Sequence, residues 1–358
     1  MPNRLMKKCL SCFESLSTNG KRPLISIRPF ALRFSKGERR FFVTCVSAVA
    51  VALFLLTVGT EPAAAQLKKV RFSVATIAIS EVPFKVAQVK GFYREEGLDV
   101  EMILIRGAVG APALISGSVD YTSSSGAVIA AGVRGLKMKL ILIVASKPAF
   151  DLVASPQIQT IQQLKGRIVG LSSRGGAVDL LTQAVLKRNG LNPNTDVVTM
   201  VVGSQEELML ALRAGRISAA LLSPPRQFML YREGFKQLAY SGDYMPTYPT
   251  GGIGATDDKI AKDPGEVSAF VRASLKGMKY YRQNRVESTN ILAGFLGIKD
   301  PSLAAQVYAA HAERLAPNGY EDDAWAKGAI EFTKQSLGIN KEIPVNQVFD
   351  FSFVKKSF

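Results

Sequence analysis

After residue 69 the chain alternates between two hydrophobic periods. Val70, Phe72 and Val74 recur at every second position, the spacing of a half-buried strand. Val82, Val86, Val89 and Tyr93 follow at helical spacing, and Gly97 ends that helix as a glycine just past its last turn. Residues 98–104 read as the next strand, 111–116 as a helix closed by Gly117, 119–122 as a short strand and 126–133 as a helix. The uninterrupted apolar run at 140–145 suits a parallel strand buried on both faces.

The same order then recurs. A strand at 167–171 precedes a helix at 177–188 with Val178, Leu181 and Val185 on one face. Asn189-Gly190 closes it and Pro193 follows. After a strand at 197–202, Ser204 and Glu207 form a capping box for a helix that ends at Gly215, before a buried strand at 217–222. Leu114-x-x-Gly117-x-Val119 matches Leu212-x-x-Gly215-x-Ile217, and Gly97-Leu98 matches Gly190-Leu191, at offsets of 98 and 93 residues. Two copies of one βαβαβ unit therefore predict two α/β lobes, with a single continuous sheet as the alternative. Beyond residue 250 the pattern reads as helices at 266–284, 287–296, 301–315 and 322–337.

The first 65 residues differ in kind. Arg39-Arg40-Phe41-Phe42 precedes an uncharged apolar run at 43–59, and Ala63-Ala64-Ala65 follows. A basic stretch, an apolar stretch and a small-residue cleavage site in that order predict an export signal cut after Ala65. An uncleaved anchor is the alternative. The Arg-Arg-x-Phe order resembles a twin-arginine signal, with Glu38 where Ser or Thr is usual. Cys45 lies at the start of the apolar run, which argues against a lipoprotein site.

Charge and cysteines sharpen this division. Of the net charge of +16, the first 65 residues hold +7 and the other 293 hold +9. That remainder is dispersed, with no Lys/Arg stripe interleaved with aromatics, so nucleic acid is not an expected partner. Cys9, Cys12 and Cys45 all precede residue 66. A cysteine-free body suits an oxidising compartment and carries neither a thiol nucleophile nor a thiolate metal site.

Ligands of open α/β sheets bind outside the carboxyl ends of the strands. The segments expected there are small and polar: Thr76 to Ser80, Ser123-Ser124-Ser125-Gly126, Ser172-Ser173-Arg174-Gly175-Gly176 and Ser223-Pro224-Pro225. Hydroxyls supply donors and acceptors, and glycine admits a ligand to the backbone. Any one of these segments alone reads as an ordinary helix cap; four at corresponding places predict one cleft lined by Thr76, Ser80, Ser124, Ser125, Ser173, Arg174, Gly175 and Ser223. Arg174, at an expected helix start, could grip a carboxylate, sulfonate or phosphate in bidentate fashion, so the ligand is expected to be a small and anionic organic molecule. Sulfonate, carboxylate, nitrate and a neutral pyrimidine all stay open. No cofactor and no metal are expected.

Two stretches carry a family resemblance. Lys90-Gly91-Phe92-Tyr93-Arg94-Glu95-Glu96-Gly97-Leu98-Asp99-Val100 resembles the opening signature of periplasmic substrate-binding proteins of ABC importers of the nitrate/sulfonate/taurine type, a group that includes thiamine-precursor-binding relatives. Gln163-Leu164-Lys165-Gly166-Arg167-Ile168-Val169-Gly170-Leu171, with Ser172 to Gly176, resembles that family's second-lobe signature. Ser218 departs from it where relatives often carry Asp. The resemblance implies a type II periplasmic-binding-protein fold, with two doubly wound α/β lobes, two hinge crossings, a cleft site and an ABC permease as partner. The expected divisions are 1–65 for export, 66–147 for the first part of lobe one, 151–243 for lobe two and 248–358 for the rest of lobe one. The expected protein is a periplasmic, monomeric solute-binding component.

The alternative is an enzyme on the same fold, like relatives that make a thiamine pyrimidine with histidine and a cysteine-rich loop. His311, inside a late helix, is the one histidine of this sequence, and the body has no cysteine. Asp257-Asp258 and Asp322-Asp323 read as acids at helix starts, not as an acid/base pair. A non-enzyme is therefore expected.

Overall fold

The computed structural model of this chain describes residues 66–75, 77–105, 109–172, 174 and 177–357. The export segment and its three cysteines lie outside the described residues, as do Thr76, Ser173 and Gly175.

Strand β1 (Lys68–Val74) buries its alternating face and leads through a 3-10 turn, Ile79–Glu81, into α1 (Val82–Val89). Pro83 suits the first turn of α1, where a missing N–H costs nothing. The single helix expected to run to Tyr93 is two pieces. Gly91 takes φ 76°, a left-handed conformation that stops α1, and a separate helical turn, Phe92–Glu95, follows. Then come β2 (Leu98–Leu104), α2 (Gly110–Ile115), β3 (Tyr121–Thr122), α3 (Ser125–Val133) and β4 (Met138–Ala145).

A second series follows. It comprises β5 (Asp151–Ala154), β6 (Ile168–Leu171), α4 (Ala177–Arg188), β7 (Val198–Val201), α5 (Gln205–Arg213), β8 (Ala219–Leu222), α6 (Arg226–Arg232) and β9 (Lys236–Tyr240). The expected capping box opens α5: Glu207 N donates to Ser204 Oγ at 3.2 Å and Ser204 N to Glu207 Oε2 at 2.6 Å. The chain then returns as β10 (Thr250–Thr256).

The strands form two mixed five-stranded sheets, in the orders β2-β1-β3-β10-β4 and β7-β6-β8-β5-β9. The orders correspond strand for strand. In each sheet the antiparallel member, β10 or β5, is the segment that has just arrived from the other sheet. The repeated glycines also correspond: Gly117 and Gly215 take φ 71° and 65° after α2 and α5, just ahead of β3 and β8.

The helices expected beyond residue 250 are present, but a strand that the sequence pattern did not mark precedes them. β10 (Thr-Gly-Gly-Ile-Gly-Ala-Thr) is a central strand despite its glycines. A Cβ at Gly252 would lie 2.5 Å from the Leu142 carbonyl oxygen, and one at Gly254 would lie 2.4 Å from Val128 on α3. Glycine is therefore the condition for close packing here, although it normally depletes strands. After β10 come α7 (Pro264–Gln283), α8 (Arg285–Leu296), α9 (Pro301–Ala312) and α10 (Asp323–Leu337).

Aromatic rings bind α7 to the first sheet. Tyr121 stacks on Phe270 at 4.2 Å, and Phe72 meets Phe84 and Phe270 edge-on at 5.0 and 5.3 Å. Helix α6 links the lobes: Arg232 pairs with Asp300 at the start of α9 and donates to Ser302 Oγ at 3.1 Å. Among the described residues no helix is long and apolar enough to cross a membrane.

Candidate functional site

The carboxyl ends of β1 and β3 form the first half of the site. Ser73 Oγ donates to Thr122 Oγ1 at 2.8 Å, locking the two strand ends together. Ala75 N donates to Ser123 Oγ at 3.2 Å, and Ser123 Oγ donates to Glu81 Oε1 at 2.9 Å. Ser80 is buried against β10, where a Cβ on Gly251 would meet Ser80 Cβ at 2.8 Å. Glu81 is buried with Oε2 unpartnered. Burial pushes its carboxyl up to about 8, against the smaller opposing pull of the Ser123 and Ser80 hydroxyls. Glu81 is thus mainly a neutral acid at pH 7.

Ser124 and Ser125 stand at the start of α3. Ser124 Oγ makes no cap bond and is buried without a partner. Ser125 Oγ donates to the Pro249 carbonyl at 3.4 Å, tying α3 to the segment that returns from the second sheet. A Cβ on Gly126 would lie 2.7 Å from the Tyr248 hydroxyl, so glycine is required where that ring covers the helix start. Burial pushes the Tyr248 hydroxyl up to about 12.

On the second sheet, Ser223 follows β8 and its N–H donates to Gln205 Oε1 at 2.9 Å; Gln205 Nε2 in turn donates to the Leu221 carbonyl at 3.2 Å. A side chain from α5 therefore fixes the loop. Arg174 is exposed, and its Nη2 donates to the Thr199 carbonyl at 2.9 Å. Val198 and Val202 donate to Arg167 and Leu171 of the β6 segment, so alternation turns the Thr199 carbonyl to the open edge of the sheet. Arg174 covers an edge carbonyl there. The structure thus brings Ser80, Ser124 and Ser125 to one sheet edge and Ser223 to the other, with Arg174 at the outer margin.

Sequence reasoning missed a second polar group at these edges. Asp151 opens β5 level with Leu222, and Tyr240 ends β9 level with Asp151. The Tyr231 hydroxyl donates to Asp151 Oδ2 at 2.9 Å, and Gln227 Nε2 does so at 3.5 Å. Burial raises the Asp151 carboxyl above its ordinary value, while Tyr231 and Arg314 pull it down. Arg314 comes from the segment after α9. Its neighbour Leu315 bridges Ala145 at the end of β4, and its guanidinium lies 4.4 Å over the Tyr240 ring. The available signal was a charge heading an apolar run, Asp151-Leu152-Val153-Ala154; nothing local marks Arg314.

The groups weighed for catalysis are occupied elsewhere. His311 is buried, faces the Tyr281 hydroxyl at 3.2 Å and is pushed down to about 3, chiefly by burial. Asp258 pairs with Lys262, and Asp322 accepts from Trp325 N at 2.8 Å as the cap of α10. Among the described residues no cluster of His, Cys, Asp or Glu could hold a metal ion.

The NMT1/THI5-like family model matches residues 79–288. The riboflavin-binding protein RibY of Chloroflexus aurantiacus is 25% identical over 297 residues, spanning 77% of this chain and 83% of that one. Among solved structures, the periplasmic aliphatic sulphonate-binding protein SsuA from Escherichia coli is similar with a TM-score of 0.66 at 18% identity, over 80% of this chain and 99% of that one. The periplasmic nitrate-binding protein NrtA from Synechocystis PCC 6803 is similar with a TM-score of 0.64 at 14% identity, over 82% and 88%. The chain belongs to the NMT1/THI5-like family, and its fold is that of the periplasmic binding proteins of ABC importers.

Proposed function

We propose that the protein is the extracytoplasmic solute-binding component of an ABC importer. A small organic solute enters between the carboxyl edges of the two sheets, the lobes close on it, and a permease in the inner membrane receives it. The observation that carries this reading is the pair of sheets in matching strand order, joined by two crossings. Two crossings permit rigid-body closure about a hinge. The lobes would comprise 66–147 with 248–358, and 151–243. Residues 1–65 would be an export signal removed after Ala65, leaving a periplasmic monomer.

Thr76, Ser80, Ser124 and Ser125 would line the cleft from the first lobe, and Ser173, Arg174, Gly175 and Ser223 from the second. Their hydroxyls and the free N–H groups at the start of α3 suit a polar solute. An anionic group, where the solute has one, would be taken at the Arg174 end, drawing the guanidinium off the Thr199 carbonyl. Turnover is not part of this reading, because His311, Asp258 and Asp322 are engaged in packing, an ion pair and a helix cap.

Native mass spectrometry of protein purified from the cell envelope tests it. A noncovalent small-molecule adduct that is lost on denaturation, on a chain beginning at Gln66, is the expected result. A chain that never carries a small molecule, or one that converts it chemically, would contradict it.

A further inference from the structure

The Asp151 group at the hinge end of the cleft is more than packing. Asp151 is 3% exposed and Gln227 0%. Yet four side-chain atoms in this group are buried without a hydrogen-bond partner: Asp151 Oδ1, Gln227 Oε1, Tyr240 OH and Arg314 Nη1. An orphaned buried polar atom loses its water partners without replacement, so native structures rarely gather several in one place. Three of the four belong to the carboxyl edge of the second sheet and its covering helix, and the fourth is brought by the segment after α9. The cell is therefore built from both sides of the crossing between the two sheets.

Its inventory selects the occupant. Asp151 Oδ1 and Gln227 Oε1 accept, Arg314 Nη1 donates, and the Tyr240 hydroxyl does either. A permanent anion satisfies Arg314 and sets its charge against the Asp151 carboxyl. A cation does the reverse. A neutral group that both gives and takes hydrogen bonds satisfies both sides without an unpaired buried charge. Hydroxyl and carboxamide groups have that character.

We propose that the Asp151–Gln227–Tyr240–Arg314 cell is a ligand subsite that reads a neutral hydroxyl or carboxamide group at one end of the solute. The proposal rests on the solute-binding reading and narrows it. An anionic group, if present, belongs at the opposite, Arg174 end.

Calorimetry with three probes tests it: ribitol as a polyol, benzamide as a carboxamide and ethanesulfonate as an anion. Each is titrated into wild type, Tyr240→Phe, Gln227→Met and Arg314→Met. Tyr240→Phe keeps the ring under Arg314 and removes one hydroxyl, so it serves even if Arg314→Met fails to fold. A neutral probe is expected to bind wild type and to weaken roughly tenfold in Tyr240→Phe and Gln227→Met, about the value of one hydrogen bond, while ethanesulfonate does not bind more tightly than the neutral probes. Equal affinity of the neutral probes for wild type and both variants overturns the subsite and leaves the solute-binding reading standing. A cell that needs only ordered water would give that result. If none of the probes binds wild type and no solute co-purifies with it, the solute-binding reading fails and the subsite fails with it.

Discussion

The Ser123 hydroxyl donates to Glu81 Oε1 at 2.9 Å, and among the described residues no charged side chain contributes to holding that buried carboxyl. Its pKa is raised from 4.5 to about 8, so the folded state binds this proton more tightly than the unfolded chain does. The resulting stability is complete below pH 4.5 and is lost as pH rises through 8. The Glu81 contribution should therefore fall across that window, on the order of 1.4 kcal/mol per unit of separation between the two pKa values, while buried His311, pushed down to about 3, gives both wild type and a Glu81 variant stability that grows as pH rises to 6.5. Glu81→Gln should lack the Glu81 loss, so its stability relative to wild type should increase from pH 5 to pH 9. Urea midpoints at pH 5, 7 and 9 measure this; parallel curves for the two proteins would contradict it.

Helix packing gives a paired test. A Cβ at Gly277 of α7 would lie 2.6 Å from the Pro83 carbonyl oxygen and 2.7 Å from Ala87 on α1, whereas one at Gly294 of α8 meets nothing within 4 Å. Gly277→Ala should lower stability by about 1–3 kcal/mol through overpacking. Gly294→Ala should raise it by about 0.5–1 kcal/mol through helix propensity and a less flexible unfolded chain. Thermal melts of both variants decide it. A harmless Gly277→Ala would mean that α1 and α7 pack less tightly than described.

These cases show what a sequence can and cannot disclose. The two-lobed plan was legible because Leu114, Gly117 and Val119 recur as Leu212, Gly215 and Ile217, and each glycine adopts the same left-handed conformation. β10 was not legible, since its glycines answer to neighbours on β4 and α3 that are distant in sequence. β9 escaped because Ala239 is its single buried residue, so no alternation marks it. Among site residues, hydroxyls at strand ends were visible as local clusters. Arg314 was not, because only the fold carries it from the end of α9 to Tyr240 on the second sheet.

Arg174 separates a structural role from a binding role. Its one hydrogen bond described is to the exposed edge carbonyl of Thr199. Arg174→Ala should change folding stability by no more than about 0.5 kcal/mol. If the cleft holds an anionic solute in a desolvated pair, the same variant should weaken binding by roughly 2–5 kcal/mol. Calorimetry of the co-purified solute against both proteins measures the second effect, and equal affinities would remove Arg174 from the site.

Closure of two lobes around a solute is the central claim, and the distance between the lobes tests it most directly. The body after residue 65 has no native cysteine, so Ser116→Cys on the first lobe and Lys187→Cys on the second, both exposed, accept spin labels selectively. Electron paramagnetic resonance then reports the inter-lobe distance with and without the solute recovered from the native protein. The account expects a broad distribution in the absence of solute and a shift to one narrower, closed population at saturation. An identical distribution in both states, with the solute demonstrably bound, would contradict it.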